Sequence, residues 1–236
     1  MAWLWGRTEE EAAAEPQPPM WRVPWHAHVP GILMAAGMTA AFVIVLYERG
    51  LDEGMRSWAV SGAALRAGRF ETLLTHMFAH GGGMHIAMNL SVLVSIAPPL
   101  VARFGARPMA WLRFAALFLL SGFAGVLCYL ALHPAGQVPM LGASGAIYGL
   151  IGLHLRLRPD GDGLVPMRSR EMWLAARDFV KENLILVLLL TLPAFLAGSG
   201  GGVAWEAHLG GFLAGLLAGP RFVTERVVEP YEPEFI

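Results

Sequence analysis

Long apolar stretches separated by short polar loops dominate the chain from residue 29 onward. Six stretches carry no Asp, Glu, Lys or Arg: residues 29–47, 85–102, 114–132, 144–155, 184–197 and 207–219. A helix needs about 20 mostly apolar residues to cross the roughly 30 Å hydrocarbon core of a bilayer. The first three stretches approach that length. The last three are shorter and rich in Gly, Ala or Ser, which let helices approach closely in lipid. The pattern predicts an all-α polytopic membrane protein with six transmembrane helices.

Composition supports a membrane protein. The chain has 236 residues, of which 56% are apolar and only 15% charged, whereas a soluble domain has about 25% charged residues. The net charge is −1, so no basic field indicates binding to nucleic acid. Cys128 is the only cysteine, which excludes a disulfide within the chain and a zinc site built from cysteines.

The flanks of the apolar core predict the domain organisation. Residues 1–28 contain Glu and Pro but no early apolar segment of a secretory signal, so we expect a cytoplasmic tail with interfacial tryptophans. Residues 29–220 form the membrane domain, and residues 221–236 form a second cytoplasmic tail. The outer loop, residues 48–83, is long and contains its own apolar side chains, so we expect it to fold and rest on the membrane.

The distribution of Arg and Lys predicts the orientation. With the N-terminus in the cytoplasm, thirteen of the 17 Arg and Lys residues lie on the inner side and four on the outer side. Cytoplasmic loops of membrane proteins carry the excess of basic residues. Both termini are therefore predicted to lie inside the cell.

Polar side chains in or beside the apolar stretches are candidates for chemistry, because burying them in hydrocarbon is costly. They form three groups: His76, His80, His85 and Asn89; Ser144 and Tyr148 in the segment 142–149; and His208 with Gly211 and Gly215. Each group alone has an ordinary structural interpretation. The three groups together indicate a site.

Ser144 lies where a loop enters a helix. Gly142 and Gly145 flank it and permit a sharp entry, and a serine here could simply cap the helix. Arg156 follows Ser144 by twelve residues, which is about 18 Å of helix. With Arg156 at the cytoplasmic surface, Ser144 lies roughly 10 Å below the outer edge of the hydrocarbon core. Irregular backbone at that depth must be buried in protein or line a wet cavity, so we expect Ser144 at the floor of a water-filled hollow.

His208 is the candidate base that a nucleophilic serine needs, and the alternative is a histidine at the membrane interface. It lies near the outer end of the last apolar stretch, at a depth that could match Ser144. Tyr148 follows Ser144 by one helical turn on the same face, where its ring could stack on the imidazole. Glu206 precedes His208 by two residues and faces elsewhere on a helix. The pattern therefore indicates a Ser–His dyad.

An acyl-transfer site also needs donors for an oxyanion. The free backbone N–H groups at the start of the Ser144 helix supply one donor. His85 and Asn89 are four residues apart, so they share a helix face and could supply two more. The alternative role for Asn89 is a hydrogen bond between helices.

These residues resemble the motifs of the rhomboid intramembrane serine proteases. The matching strings are His76-Met-Phe-Ala-His80, His85-Ile-Ala-Met-Asn89, Gly142-Ala-Ser144-Gly145-Ala-Ile-Tyr148-Gly149 and Ala207-His208-Leu-Gly-Gly211-Phe-Leu-Ala-Gly215. They stand in the family's order, and the resemblance covers residues 29–220. It implies a six-helix bundle of the bacterial rhomboid type, with a short fourth helix that starts at the catalytic serine.

The resemblance also implies roles for the residues. Ser144 is the nucleophile and His208 the general base, and His85, Asn89 and the N–H of Ser144 form the oxyanion hole. The supporting residues pack on the base, hold the outer loop and water pocket, or allow close helix packing; they are Tyr148, His76, His80, Gly142, Gly145, Gly211 and Gly215. The fifth helix and the glycine-rich residues 198–202 form a gate.

Substrates, partners and location follow from the same resemblance. The substrates are membrane proteins, cut near the outer end of a transmembrane segment, with small residues before the cut. No cofactor or metal is needed, the lipid bilayer is the other partner, and the location is the bacterial inner membrane. One departure concerns the outer loop, where many members carry a Trp-Arg pair shortly before the position of His76. This chain has Glu71-Thr72 after Arg69-Phe70, so the role of that pair is not transferred.

Other classes of function fit the sequence less well. A non-catalytic rhomboid-like protein would bind transmembrane segments for quality control or trafficking, but the presence of both Ser144 and His208 favours an enzyme. A metalloenzyme built on His76, His80 and His85 would lack both a His-Glu-x-x-His motif and a carboxylate cluster in the membrane. A transporter is disfavoured because no carboxylate lies deep in an apolar stretch.

Overall fold

The computed structural model describes residues 23–136, 138–158, 163–196 and 202–224. Within these residues the regular secondary structure is helical. Two isolated β-bridges, Val60 with Met140 and Leu157 with Leu164, are the β pairing in this part of the chain. The predicted all-α fold is confirmed. Most of the two predicted tails, with Trp3, Trp5 and Trp21, and most of the glycine-rich loop lie outside the described residues.

Nine α-helices follow one another along the described residues. They are α1 (Val29–Arg49), α2 (Leu51–Trp58), α3 (Gly62–Arg66), α4 (Thr72–Thr75), α5 (Gly83–Ala102), α6 (Met109–Leu132), α7 (Ser144–His154), α8 (Arg170–Leu196) and α9 (Trp205–Ala218). Three described segments are long and apolar enough to cross a membrane: Trp25–Glu48, Gly83–Ala102 and Met109–Leu132. Six crossings stay a prediction, because α7 and α9 are short.

The boundary of α8 differs most from the predicted one. The helix begins at Arg170, fourteen residues before the apolar stretch that was predicted as a helix. Ser169 caps this polar extension, since its Oγ accepts a hydrogen bond from the N–H of Met172 at 3.1 Å. Glu171 lies in the first turn, where a negative charge is favourable next to the helix dipole. Hydropathy alone did not detect the extension because half of its side chains are polar or charged.

The outer loop is folded, as predicted, into the short helices α2, α3 and α4. The Arg69 guanidinium donates to the carbonyl oxygens of Arg56 at 3.3 Å and Ser57 at 3.2 Å. The Thr75 hydroxyl donates to the carbonyl oxygen of Trp58 at 3.0 Å. These bonds tie the two halves of the loop together without the Trp-Arg pair. Its placement on the membrane surface stays a prediction.

Helix α7 lies at the centre of the bundle, packed against α6, α9 and α5. Its C-terminal half and α6 contribute five large, fully buried side chains to the apolar core: Phe114, Leu117, Phe118, Leu150 and Leu153. Between membrane helices such side chains stabilise the bundle through close van der Waals packing, because lipid tails are as apolar as the side chains themselves. The N-terminal half of α7 carries the smaller and more polar residues that form the candidate site.

Candidate active site

The chain enters α7 through a loop that the outer loop holds in place. Val60 and Met140 exchange two backbone hydrogen bonds of 2.9 and 2.8 Å, and the N–H of Gly142 donates to the carbonyl oxygen of His76 at 2.8 Å. Gly142 has a φ of +113°, which a residue with a side chain rarely adopts. The turn therefore delivers Ser144 to the first position of α7.

Ser144 and His208 are in direct contact. Oγ of Ser144 lies 2.7 Å from Nε2 of His208, although 64 residues separate them along the chain. Ala143 is the N-cap of α7 and no side chain makes a capping hydrogen bond there, so the Ser144 hydroxyl is not used as a cap. A neutral imidazole nitrogen can accept the hydroxyl proton, which makes this pair a nucleophile with an adjacent base.

Close packing of α9 on α7 sets the distance between these two side chains. A Cβ added at Gly211 would overlap the carbonyl oxygen of Gly145, and one added at Gly215 would overlap the carbonyl oxygen of Gly149. No side chain fits between the two backbones at these positions. Gly211 follows His208 by less than one helical turn, so the backbones of α9 and α7 touch directly beside the His208 side chain.

Tyr148 covers the imidazole of His208. The two rings are stacked, with centroids 4.0 Å apart and an interplanar angle of 10°. Both side chains are half-buried. A stack of this kind restricts rotation of the imidazole ring and keeps Nε2 directed at Ser144.

His85 is oriented by its other ring nitrogen. The N–H of Gly81 donates to Nδ1 of His85 at 3.2 Å, so the ring proton is on Nε2. A Cβ added at Gly142 would lie 2.8 Å from that Nε2 and 3.9 Å from Oγ of Ser144. Nε2 of His85 and Oγ of Ser144 therefore border the same small space.

Asn89 lies one turn below His85 on α5 and is buried. Its Nδ2 donates to the carbonyl oxygen of His85 at 2.9 Å. This bond uses one of the two amide hydrogens and fixes the plane of the group. The second hydrogen is left to bind another acceptor.

His76 and His80 are buried in the loop before α5. Nδ1 of His76 donates to the carbonyl oxygen of Thr72 at 3.0 Å, and the ring of His80 packs edge-on against His85 with centroids 5.1 Å apart. Burial lowers the pKa of His76 to about 4. Burial and the neighbouring His85 lower the pKa of His80 to about 4. Both rings are therefore neutral at pH 7 and serve as packed scaffold.

Comparison with known proteins identifies the fold family. Residues 67–225 match the family model described as the rhomboid domain. The chain belongs to the rhomboid family. With the apolar helices already described, this makes it a multi-pass membrane protein.

Relatives of this rhomboid come from plants, bacteria and fungi. It is 30% identical over 148 residues to RHOMBOID-like protein 5 of Arabidopsis thaliana, 27% over 160 residues to rhomboid protease GluP of Bacillus subtilis and 30% over 159 residues to Rhomboid-type serine protease 2 of Emericella nidulans. The matches cover 62%, 68% and 64% of this chain but 42%, 27% and 28% of the relatives. The chain thus spans less than half the length of these relatives.

Two features of this rhomboid's site were missed by the sequence analysis. The O–H of Tyr148 donates to Oδ1 of Asn183 on α8. Glu206 is buried and accepts a 2.9 Å hydrogen bond from Nε2 of His133, which ties the C-terminal end of α6 to the N-terminal end of α9. The predicted apolar stretch began at residue 184, one residue after Asn183. The signal that the sequence offered for Asn183 was a polar residue placed directly before an apolar stretch.

The arrangement suits acyl transfer. A hydroxyl with an adjacent base, a helix N-terminus and a histidine N–H all border one space, which is the set needed to attack a carbonyl and stabilise the resulting oxyanion. Within the described residues, no group of three His, Cys, Asp or Glu side chains is placed to hold a metal ion.

Proposed function

We propose that this rhomboid is an intramembrane serine endopeptidase that cleaves transmembrane segments of membrane proteins near their outer end. The observation that carries the proposal is the 2.7 Å contact between Oγ of Ser144 and Nε2 of His208. The stacked ring of Tyr148 keeps the base in this orientation. Two relatives, rhomboid protease GluP of Bacillus subtilis and Rhomboid-type serine protease 2 of Emericella nidulans, support the same class of reaction.

The geometry supports a two-step hydrolysis. Oγ of Ser144 attacks the scissile carbonyl while His208 takes its proton, and the protonated His208 then gives that proton to the leaving amine. The N–H of Ser144, Nε2–H of His85 and the amide of Asn89 stabilise the oxyanion. A water molecule, deprotonated by His208, then hydrolyses the acyl-enzyme and regenerates the serine.

The placement in the cell belongs to the same proposal. The excess of Arg and Lys on one side supports both termini in the cytoplasm of a bacterial cell, with the protein in the inner membrane. Residues 29–220 are then the protease domain, and residues 1–28 and 221–236 are cytoplasmic tails. Substrates approach through the lipid bilayer.

A serine-reactive fluorophosphonate probe tests the proposal. The purified full chain in mild detergent should be labelled, and Ser144→Ala should abolish labelling together with cleavage of a model transmembrane substrate in liposomes. Ser91→Ala is the control, because the Ser91 hydroxyl is exposed and donates only within α5, to the carbonyl oxygen of Met88 at 2.9 Å. This variant should be labelled like wild type.

Two results would count against proteolysis at this dyad. Cleavage that is unchanged in Ser144→Ala would remove the serine from the mechanism. A folded wild type that neither reacts with the probe nor cleaves any substrate would favour a binder of transmembrane segments.

A further inference from the structure

Asn183 reaches the candidate active site from α8, a helix that contributes nothing to the motifs. Its Nδ2 donates to the carbonyl oxygen of Phe179 one turn earlier, at 2.8 Å. That bond fixes the orientation of the amide, so Oδ1 is the atom presented to Tyr148. The O–H of Tyr148 donates to it.

The hydrogen bond to Asn183 restrains Tyr148 at its hydroxyl, the end of the side chain that is farthest from the Tyr148 backbone. The ring stacks on His208, and its other aromatic neighbour, Phe179, lies edge-on with centroids 6.0 Å apart. Offset stacking is favourable over a range of centroid separations, so stacking alone does not define where the ring lies within its plane. A hydrogen bond at the hydroxyl defines the position within the plane. Contacts therefore run without a break from Asn183 through Tyr148 and His208 to Ser144.

Helix α8 is held to the bundle mainly through side chains. Of the described helices around the site, its backbone approaches the others least. Leu184 and Leu189 on its surface are 58% and 66% exposed. Phe179 stacks on Phe212 of α9, with centroids 4.5 Å apart and an interplanar angle of 8°. The Asn183 bond therefore joins α8 to α7 directly beside the dyad.

We propose that Asn183 is a positioning residue for the base. It holds Tyr148 over His208, and it makes the orientation of His208 depend on the position of α8 relative to α7. The inference rests on the proposed proteolytic function. Asn183 itself acts only through Tyr148, so its loss changes the rate of the chemical step more than the binding of substrate.

A double-mutant cycle tests this role. Asn183→Leu removes the acceptor at similar volume, Tyr148→Phe removes the hydroxyl and keeps the ring, and the third variant combines both changes. Each single change should lower kcat and the rate of fluorophosphonate labelling about threefold to tenfold, the worth of one hydrogen bond, with KM nearly unchanged. The double variant should lose no more than the larger single loss, because both changes remove the same bond.

Thr191→Val is the matched control on the same helix. Its hydroxyl donates only to the carbonyl oxygen of Val187, at 2.7 Å, so the control should keep the wild-type kcat. Thermal unfolding in detergent identifies the variants that fold, and Asn183→Ala replaces Asn183→Leu in the cycle if the latter does not.

The outcomes separate the two proposals. Losses that multiply in the double variant, an unchanged kcat in a folded Asn183 variant, or a change confined to KM would each overturn the positioning role. If these occur while Ser144→Ala is inactive, the proteolytic function stands and only Asn183 loses its role. If Ser144→Ala keeps wild-type activity, both proposals are overturned.

Discussion

At the scale of single residues, Gly142 places two groups of the site next to each other. Its φ of +113° turns the chain into α7, and its lack of a side chain leaves room for the ring of His85. Nε2 of His85 carries the ring proton because the N–H of Gly81 occupies Nδ1. One glycine therefore sets both the entry of Ser144 and the approach of an oxyanion donor.

Gly142→Ala should reduce activity more than stability. An added Cβ would lie 2.8 Å from Cε1 and Nε2 of His85, and the positive φ would be strained by about 1–3 kcal/mol. We expect fluorophosphonate labelling of Ser144 to slow at least tenfold. Gly163→Ala is the control, since Gly163 also has a positive φ of +74° but has open space around it. Equal labelling rates in the two variants would show that the His85 contact does not matter.

At the scale of elements, the contact between α7 and α9 determines whether the dyad forms. Ser144 and His208 belong to different helices, and their 2.7 Å separation requires the two backbones to touch. Gly149 also faces α6, where an added Cβ would overlap the Ser121 side chain. Helices α6 and α9 thus both pack on α7 so closely that little room is left for a side chain at these glycines.

Gly215→Ala should separate α9 from α7. Its Cβ would overlap the backbone of Gly149, and overpacking of this kind costs about 1–3 kcal/mol. The unfolding temperature in detergent should fall, and labelling of Ser144 should fall with it because His208 moves away. Gly37→Ala on α1 is the control, since its Cβ would make an ordinary 3.9 Å contact with Phe78. A Gly215 variant as stable and reactive as the Gly37 variant would contradict the packing argument.

At the scale of the whole molecule, the outer loop docks on the bundle through neutral buried histidines. The pKa values of His76 and His80 are about 4 in the folded protein, whereas a histidine in an unfolded chain has a pKa near 6.5. Between these values the unfolded chain binds more protons, so stability falls as the pH falls. The stability that each ring contributes is complete above pH 6.5 and is lost progressively down to pH 4.

The free energy of unfolding should therefore drop on acidification from pH 7.5 to 4.5, by about 2–3 kcal/mol for each of the two rings. His76→Asn should have a lower free energy of unfolding than wild type at pH 7.5. On acidification its free energy of unfolding should drop less than that of wild type, and the difference should equal the contribution of one histidine ring. Exposed His28, changed to Asn, is the control and should leave the drop unchanged. Equal drops in wild type and His76→Asn, measured by denaturant titration in mixed detergent, would argue against a neutral buried His76.

Hydropathy predicts some helices of this chain more accurately than others. The apolar stretches located the long helices, and the spacing of four residues put Tyr148 on the face of Ser144. The predicted start of α8 was wrong by fourteen residues, because the helix is capped at Ser169 and its first half mixes charged with apolar side chains. Asn183 was missed for the same reason, since the predicted helix began after it.

The sequence by itself determined the all-α fold, the family and the residue types available for chemistry, because hydropathy, glycine positions and motif order are properties of the chain alone. The tertiary structure decided which of these residues meet. The contact of His208 with Ser144, the hydrogen bond from Tyr148 to Asn183 and the pairing of Glu206 with His133 each join segments that local patterns do not connect. The physical reason is that distances of a few ångströms between helices depend on backbone packing, which periodicity along one helix does not specify.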